Sequence, residues 1–130
     1  PLPWTPEGPS MGFSASADTW LPQPEEYRHY ARSLQRGVPG STLSMYQLAL
    51  RLRRELSLGA GELRWLDGFG ASVIAFETAG VRVLCNLGKR GRPLPAGEVL
   101  LSSGPINEEM TGALAPGAAT LPPDVTVWLR

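Results

Sequence analysis

The sequence is poor in the residues that form covalent cross-links or bind metal ions. It contains one cysteine, Cys85, and one histidine, His29, in 130 residues. An internal disulfide is therefore impossible, because it needs two cysteines. One Cys and one His also supply too few ligands for a self-sufficient zinc site. Cys85 lies in the apolar stretch VRVLCNLG, which predicts an inert side chain in the core. His29 is predicted on the polar side of a helix, so we expect a solvated side chain and no Ser–His–Asp arrangement.

The chain also lacks an excess of charge and any long apolar run. Twelve basic and twelve acidic side chains balance, so the composition provides no attraction to nucleic acid or anionic lipid. No apolar run approaches the roughly 18 residues that span a bilayer. The basic cluster at 88–92 has no interleaved aromatic residues and is interpreted as a charged hairpin tip. We expect a cytoplasmic protein without nucleic-acid or membrane partners, and, since residue 1 is not Met, a true N-terminus upstream.

No group of residues in the chain has the pattern of a complete catalytic or cofactor site. The glycines at 59–61 and 68–70 do not stand between a strand and a following helix, as a nucleotide-binding loop requires. Glu25 and Glu26 are neighbours on a predicted helix and point about 100 degrees apart. Glu108 and Glu109 fall in a polar loop, whereas acid–base partners normally come from separate elements. We therefore expect no catalytic residue, no metal and no cofactor in this chain.

Glycine and proline are abundant, with 15 and 13 residues, and 42% of the chain is hydrophobic. This composition is typical of a globular chain with many turns, and the helical and strand periods described next predict an α+β chain. Residues 1–23 form a Pro-rich loop, residues 24–57 show a helical period, and residues 58–130 show the period of short strands. We divide the chain into two parts, 1–57 and 58–130.

Two helices are predicted in the first part. One begins at Pro24 and ends at Arg36 before Gly37, with an apolar stripe at Tyr27, Tyr30, Ala31 and Leu34. The other is capped by Ser41 or Thr42 and ends near Leu56 or Ser57. Its predicted buried stripe consists of Met45, Leu48, Ala49, Leu52 and Leu56, widened by Leu43, Tyr46 and Leu50.

The second part is predicted to be a small antiparallel β-sandwich or curled sheet. Strands are expected at 62–66, 97–103 and 125–130, and a hairpin at 72–88 that turns at Ala79-Gly80. Strands that follow each other without intervening helices pair antiparallel.

Three aromatic residues in the Pro-rich loop are the candidate functional residues: Trp4, Phe13 and Trp20. One interpretation makes them packing anchors of the loop. The other makes them the wall of a sugar site, since aromatic faces pack well on the apolar faces of pyranose rings. The residues alone leave both interpretations open.

The order of the motifs resembles the distal part of α-glucosidases in the oligo-1,6-glucosidase-like branch of glycoside hydrolase family 13, within the α-amylase superfamily. Pro1, Pro3 and Trp4 are similar to the family's Arg-x-Pro-x-x-Trp segment after the eighth barrel strand, whose Arg would precede residue 1. The family's next two motifs correspond to GFS at 12–14 and WLP at 20–22. The segment 41–54 resembles the last barrel helix, and residues from about 58 onward resemble the C-terminal β-domain.

The resemblance covers the whole chain and implies a fold and a function. The chain would hold the last βα loop and final helix of a (β/α)8 barrel, followed by a small antiparallel β-sandwich. The parent would hydrolyse α-glucosidic bonds of oligosaccharides with an Asp nucleophile, a Glu acid/base and a second Asp that braces the sugar, all three encoded upstream of this chain. The chain alone would be structural and non-catalytic, and its partner would be the remainder of the barrel. Trp4, Phe13 and Trp20 would lie near the parent's α-glucoside pocket.

Two other functions remain open at this point. In the first, the parent is a transglycosylating relative, such as a trehalose synthase or sucrose isomerase, because the residues that decide this lie mostly upstream. The chain would otherwise be a free-standing carbohydrate-binding or interaction domain. If it is a fragment, we expect its first 57 residues to pack non-natively, self-associate or stay mobile, because exposed apolar helix faces favour association.

Overall fold

The computed structural model describes residues 1–106 and 113–130. The chain contains both helices and strands and divides into two compact units, Pro1–Gln47 and Leu48–Arg130. We call these unit 1 and unit 2. The assignment of residues 1–57 to the end of a barrel stays a prediction.

Unit 1 consists of loops, short helices and the first part of the longest helix. Two 3₁₀ helices span Pro9–Gly12 and Glu25–Tyr30, α1 spans Arg32–Gln35, and α2 spans Thr42–Glu55 and continues into unit 2. The predicted second helix is confirmed as α2. Its N-cap is Ser41, whose Oγ accepts a hydrogen bond from the Ser44 backbone N–H at 3.2 Å. This bond satisfies one of the donors that the first helical turn leaves free.

The prediction of one continuous helix from Pro24 to Arg36 is wrong. The backbone is extended at Ala31, with φ −57° and ψ 136°, which separates the 3₁₀ helix from α1. After the break, the backbone N–H groups of Arg32 and Ser33 donate to carbonyl oxygens at residues 3 and 4. These long-range bonds replace the intrahelical ones that an uninterrupted helix would make. Ala31 itself is fully buried, whereas Tyr30 is 67% exposed.

Within this chain the predicted stripe of α2 is only partly buried, and its burial against a barrel stays a prediction. No residue of α2 is buried. The stripe residues Met45, Leu48, Ala49, Leu52 and Leu56 are half-buried, and their neighbours Tyr46 and Leu50 are exposed. The described part of the chain thus covers only part of this helix face.

Unit 2 contains a short 3₁₀ helix and all the strands. The 3₁₀ helix spans Leu58–Ala60; the strands are β1 Arg64–Trp65, β2 Val73–Thr78, β3 Val81–Asn86, β4 Arg92–Pro93, β5 Gly97–Ser102, β6 Ala113–Leu114, β7 Thr120–Leu121 and β8 Thr126–Leu129. The four predicted strand regions are confirmed. The two-residue strands β4, β6 and β7 are additional, and they are too short for a period to be seen in the sequence.

The strands pair antiparallel, as predicted. The main sheet has the order β1-β2-β3-β8-β5, and β6 pairs with the outer edge of β5. β4 and β7 form a separate two-stranded ribbon. The β2–β3 hairpin turns at Ala79 and Gly80, with φ +47° and +75°. Two successive positive φ values are typical of the tight turn whose twist matches that of a hairpin.

The core of unit 2 lies between the main sheet and the ribbon. It combines buried residues of both, with others from the loops: Ala75, Leu84, Leu94, Ala119, Leu121, Val125, Val127 and Leu129. This two-layer packing is compatible with the predicted small sandwich. The predicted core position of Cys85 is wrong: its side chain is only half-buried. On β3, Leu84 belongs to the core cluster, and Val81 and Val83, which alternate with it, are buried as well.

Candidate functional site

The loop at residues 1–14 folds back on itself through backbone hydrogen bonds. The N–H groups of Trp4 and Thr5 both donate to the Met11 carbonyl oxygen, at 2.9 and 3.1 Å. Ser10 and Met11 take positive φ values of 46° and 50° and are buried. Gly12, at φ +74°, has no space for a side chain, because an added Cβ would lie 2.5 Å from Thr5 Oγ1. The glycine of the Gly-Phe-Ser motif is therefore required by this loop.

The start of the loop is joined to α1. The carbonyl oxygens of Pro3 and Trp4 accept hydrogen bonds from the backbone N–H groups of Arg32 and Ser33, each at 3.0 Å. Pro3 and Ala31 are buried beside this junction. The junction brings the Arg32 guanidinium over the Trp4 ring, 5.6 Å from its centroid. This is a cation–π arrangement at a partly exposed position, since the Trp4 residue is 42% exposed.

The start of α2 is joined to the same region by the Gln35 side chain. Its Oε1 accepts from the Leu43 backbone N–H at 3.1 Å, and its Nε2 donates to the Tyr30 carbonyl oxygen at 2.7 Å. Ser41 Oγ in turn donates to the Gln35 carbonyl oxygen at 2.8 Å. These bonds place the first turn of α2 beside the end of the 3₁₀ helix.

The three connected segments enclose an apolar groove with a volume of about 380 Å³. We call it the Trp4 groove. Its lining residues come from the loop, the α1 region and α2: Leu2, Pro3, Trp4, Tyr30, Arg32, Gln35, Thr42, Leu43 and Tyr46. Arg32 is the one charged side chain in this lining. The volume is at the lower end of the range for small-molecule sites.

The structure does not bring the three candidate aromatic residues together. Trp4 lines the groove, whereas Phe13 is 55% exposed and Trp20 is 98% exposed, and neither lines it. A second, more polar depression of about 520 Å³ lies elsewhere in unit 1 and is lined in part by Met11, Gln23 and Arg28. Phe13 and Trp20 do not line this depression either.

Sequence reasoning missed Arg32 as a residue of the groove, and it assigned Tyr30 and Tyr46 to buried helix stripes. Tyr30 was predicted on the buried stripe of a continuous helix, but the break at Ala31 directs it into the groove wall. Arg32 carries no signal that distinguishes it from other surface residues of a helix. The long-range hydrogen bonds to residues 3 and 4 bring it near Trp4, and the Gln35 bonds to Tyr30 and Leu43 bring the start of α2, with Tyr46, to the same region.

The other residues that the sequence analysis weighed do not line the Trp4 groove. His29 is exposed, as predicted, and so are Lys89, Arg90 and Arg92 of the basic cluster. Glu25 forms an exposed ion pair with Arg28 at 3.4 Å, a type that contributes little to stability. Glu108 and Glu109 lie outside the described residues. Within residues 1–106 and 113–130, no cluster of three His, Cys, Asp or Glu side chains is suited to a metal ion.

Comparison with known proteins leaves the chain without an assigned family: no family model matches it, and no curated protein matches it significantly. In the described part of the chain, no helix is long and apolar enough to cross a membrane.

Proposed function

We propose that this chain is the C-terminal portion of an α-glucosidase-like glycoside hydrolase of family 13. The observation that carries the proposal is the order of motifs along the whole chain. Trp4, the Gly-Phe-Ser at 12–14, the Trp-Leu-Pro at 20–22 and α2 follow each other as in those enzymes, and an antiparallel β-domain comes next. The compact loop, in which Gly12 is sterically required, and the two-layer packing of unit 2 support it.

In this proposal the chain contributes structure and the upstream barrel contributes the chemistry. A retaining glycosidase needs two carboxyl groups about 5–5.5 Å apart, one as nucleophile and one as acid/base. We assign both to the parent barrel, and we assign none of the carboxylates of this chain to catalysis. The role of the chain is to complete the barrel with α2 and to cap it with the β-domain. The partly covered face of α2 supports this role, because a solvent-exposed apolar face gains stability when a partner buries it.

The first experiment is the intact mass and N-terminal sequence of the protein purified from its source cells, followed by an assay with p-nitrophenyl α-glucoside. We expect a mass well above 14.0 kDa, the mass of this chain, and release of nitrophenol by the native protein. The isolated chain serves as control and should release none. A native protein of 14.0 kDa, or a larger one that is inactive on α-glucosides, would refute the proposal. Transfer of glucose to a second sugar instead of water would identify a transglycosylating relative.

A further inference from the structure

The loop between β1 and β2 contains an aspartate followed by a glycine, Asp67-Gly68. The other two aspartates of the chain, Asp18 and Asp124, precede threonine and valine, and neither of its asparagines precedes glycine. In an Asp-Gly pair the glycine nitrogen lies close to the aspartate carboxyl carbon, and no Cβ hinders its approach. The pair closes into a five-membered succinimide ring where the surrounding structure leaves it free to do so.

The structure leaves this pair free. Asp67 and Gly68 are both exposed, and a Cβ added at Gly68 would meet nothing within 4 Å outside its chain neighbours. In the part of the chain that the structure describes, the Gly68 N–H donates no backbone hydrogen bond. A backbone nitrogen that is bonded in a helix or sheet resists ring closure, because the reaction breaks its hydrogen bond. Gly68 has no such bond to lose.

The other two aspartates are less suited to ring closure. Asp18 precedes Thr19, whose branched Cβ crowds the backbone nitrogen, and its carboxylate accepts a hydrogen bond from Ser16 Oγ at 3.2 Å. Asp124 precedes Val125, which is β-branched and buried. Asp18 is exposed, as Asp67 is. Exposure therefore does not distinguish these two residues, and Asp18 serves as an internal control.

We infer that Asp67-Gly68 is a site of covalent self-modification, at which the folded protein converts Asp67 to isoaspartate. The Gly68 nitrogen forms a bond to Cγ of Asp67, and its proton leaves with the carboxyl hydroxyl as water. Water then opens the succinimide at either carbonyl. Opening at the former side-chain carbonyl restores Asp67, and opening at the main-chain carbonyl leaves isoaspartate. The two steps release and consume one water and need no other reactant. The inference does not depend on the proposed function.

The modification changes a loop that is fixed on both sides. The Leu66 N–H donates to the Ala75 carbonyl oxygen at 2.9 Å, and the side chains of Leu66 and Phe69 pack against the core of unit 2. Isoaspartate routes the main chain through the former side chain and adds one methylene to the backbone between these two residues. We therefore expect the modified protein to be less stable than the unmodified one.

The rate of isoaspartate formation tests the site. The protein at its native length is incubated at neutral pH, well below its unfolding temperature, beside a synthetic peptide of residues 65–82. This is also a tryptic peptide, and Asp67 is its one aspartate. Electron-transfer fragmentation distinguishes isoaspartate from aspartate in it. We expect the rate at Asp67 in the folded protein to approach that of the free peptide and to exceed the rate at Asp18 severalfold. A rate closer to that of Asp18 than to that of the peptide would overturn the inference.

An Asp67→Glu variant tests the consequence. It keeps the negative charge, but its ring would have six members and closes far more slowly. A methyltransferase specific for isoaspartyl carboxyl groups, supplied with labelled S-adenosylmethionine, should label the aged natural protein and leave the aged variant at background. Urea unfolding of the aged natural protein should show a fraction with a lower midpoint, and the variant should keep its midpoint. Equal labelling of the two proteins would overturn the site, and an unchanged midpoint in the labelled protein would overturn the loss of stability.

Discussion

The two units of the chain are organised differently. Unit 2 has a contiguous core in which Leu84, Leu94, Leu121 and Leu129 are each at most 1% exposed. Unit 1 has no comparable core among its described residues: its buried positions are Pro3, Ser10, Met11 and Ala31. Ten of its large apolar side chains are instead exposed by 42% to 98%: Leu2, Trp4, Phe13, Trp20, Leu21, Tyr27, Tyr30, Leu34, Val38 and Tyr46.

This difference shows two ways in which a segment keeps its shape. Unit 2 is stabilised mainly by burial of apolar surface, which contributes about 25 cal/mol for each Å² removed from water. Unit 1 is held by backbone and side-chain hydrogen bonds between distant residues, such as those from Arg32 and Ser33 to the loop. Each such bond contributes only about 1 kcal/mol net. We therefore expect unit 2 to dominate the stability of the isolated chain.

The largest expected effect is the removal of a core side chain from unit 2. Leu129 on β8 is fully buried, and β8 pairs with both β3 and β5. We expect Leu129→Ala to lower the free energy of unfolding by about 2–5 kcal/mol, because it leaves a cavity beside the core. Urea unfolding followed by near-ultraviolet circular dichroism measures the change. The control is Leu87→Ala at a residue that is 61% exposed. Equal losses for the two variants would contradict the assignment of the core.

Replacing a side-chain amide by a carboxyl group at one site in each unit sharpens the comparison between the two units. Asn86 in unit 2 is fully buried, and its Nδ2 lies 2.9 Å from the Arg90 carbonyl oxygen and 3.1 Å from two others. Gln23 in unit 1 is half-buried, with Nε2 bonds of 3.3 Å to two carbonyl oxygens. Asn86→Asp replaces a buried donor by an oxygen that faces these acceptors. We expect Asn86→Asp to lower the free energy of unfolding by about 1–3 kcal/mol or more. Gln23→Glu should lower it clearly less, because water reaches the half-buried Gln23 side chain.

The Asn86→Asp variant also has an expected pH dependence. Burial and the facing carbonyl oxygens raise the pKa of the introduced carboxyl in the folded state, because they disfavour its charged form. The protonated variant is therefore the more stable one, and its stability falls as the pH rises through the folded-state pKa. Unfolding midpoints measured across the acidic range should show the loss growing with pH relative to the natural chain. A pH-independent difference between the two proteins would mean that the introduced side chain is solvated.

A smaller effect is expected from the cap of α2. Ser41→Ala removes the acceptor for the Ser44 N–H and should cost about 0.5–2 kcal/mol. Ser33→Ala is the matched control, because Ser33 is exposed and is joined to the loop through its backbone. Hydrogen exchange of the amides in the first turn of α2 measures the local effect. Unchanged exchange at Ser44 in the Ser41 variant would argue against the cap.

The smallest expected effect is a gain in stability. Ala79 has a φ of +47° in the β2–β3 turn, a conformation that is unfavourable for alanine and better tolerated by asparagine. Ala79→Asn creates the Asn-Gly pair favoured in this turn and should raise the unfolding free energy by roughly 0.5–1 kcal/mol. Thermal unfolding of the isolated chain checks the sign. A lower midpoint would indicate that the asparagine side chain clashes at the turn.

Local features were predictable wherever the stabilising contacts are close in sequence. The β2–β3 hairpin follows from alternating apolar residues on both sides of Ala79-Gly80, and α2 follows from its serine cap and its apolar period. The break at Ala31 was not predictable, because the helical period continues through it from Tyr27 to Leu34. The two-residue strands β4 and β7 were not predictable either, because they are too short to show a period and their pairing joins segments nearly thirty residues apart.

The candidate site likewise combines features that the sequence predicted with features that only the fold produces. The sequence by itself singled out Trp4 together with Phe13 and Trp20, and it predicted α2 and the β2–β3 hairpin, since these depend on residue type and short-range spacing. Only the tertiary structure separated Trp4 from Phe13 and Trp20 and joined it to Arg32, Tyr30 and Tyr46. The physical reason is that hydrogen bonds between residues nearly thirty positions apart in the chain form that groove. Such contacts leave no periodic trace in the sequence.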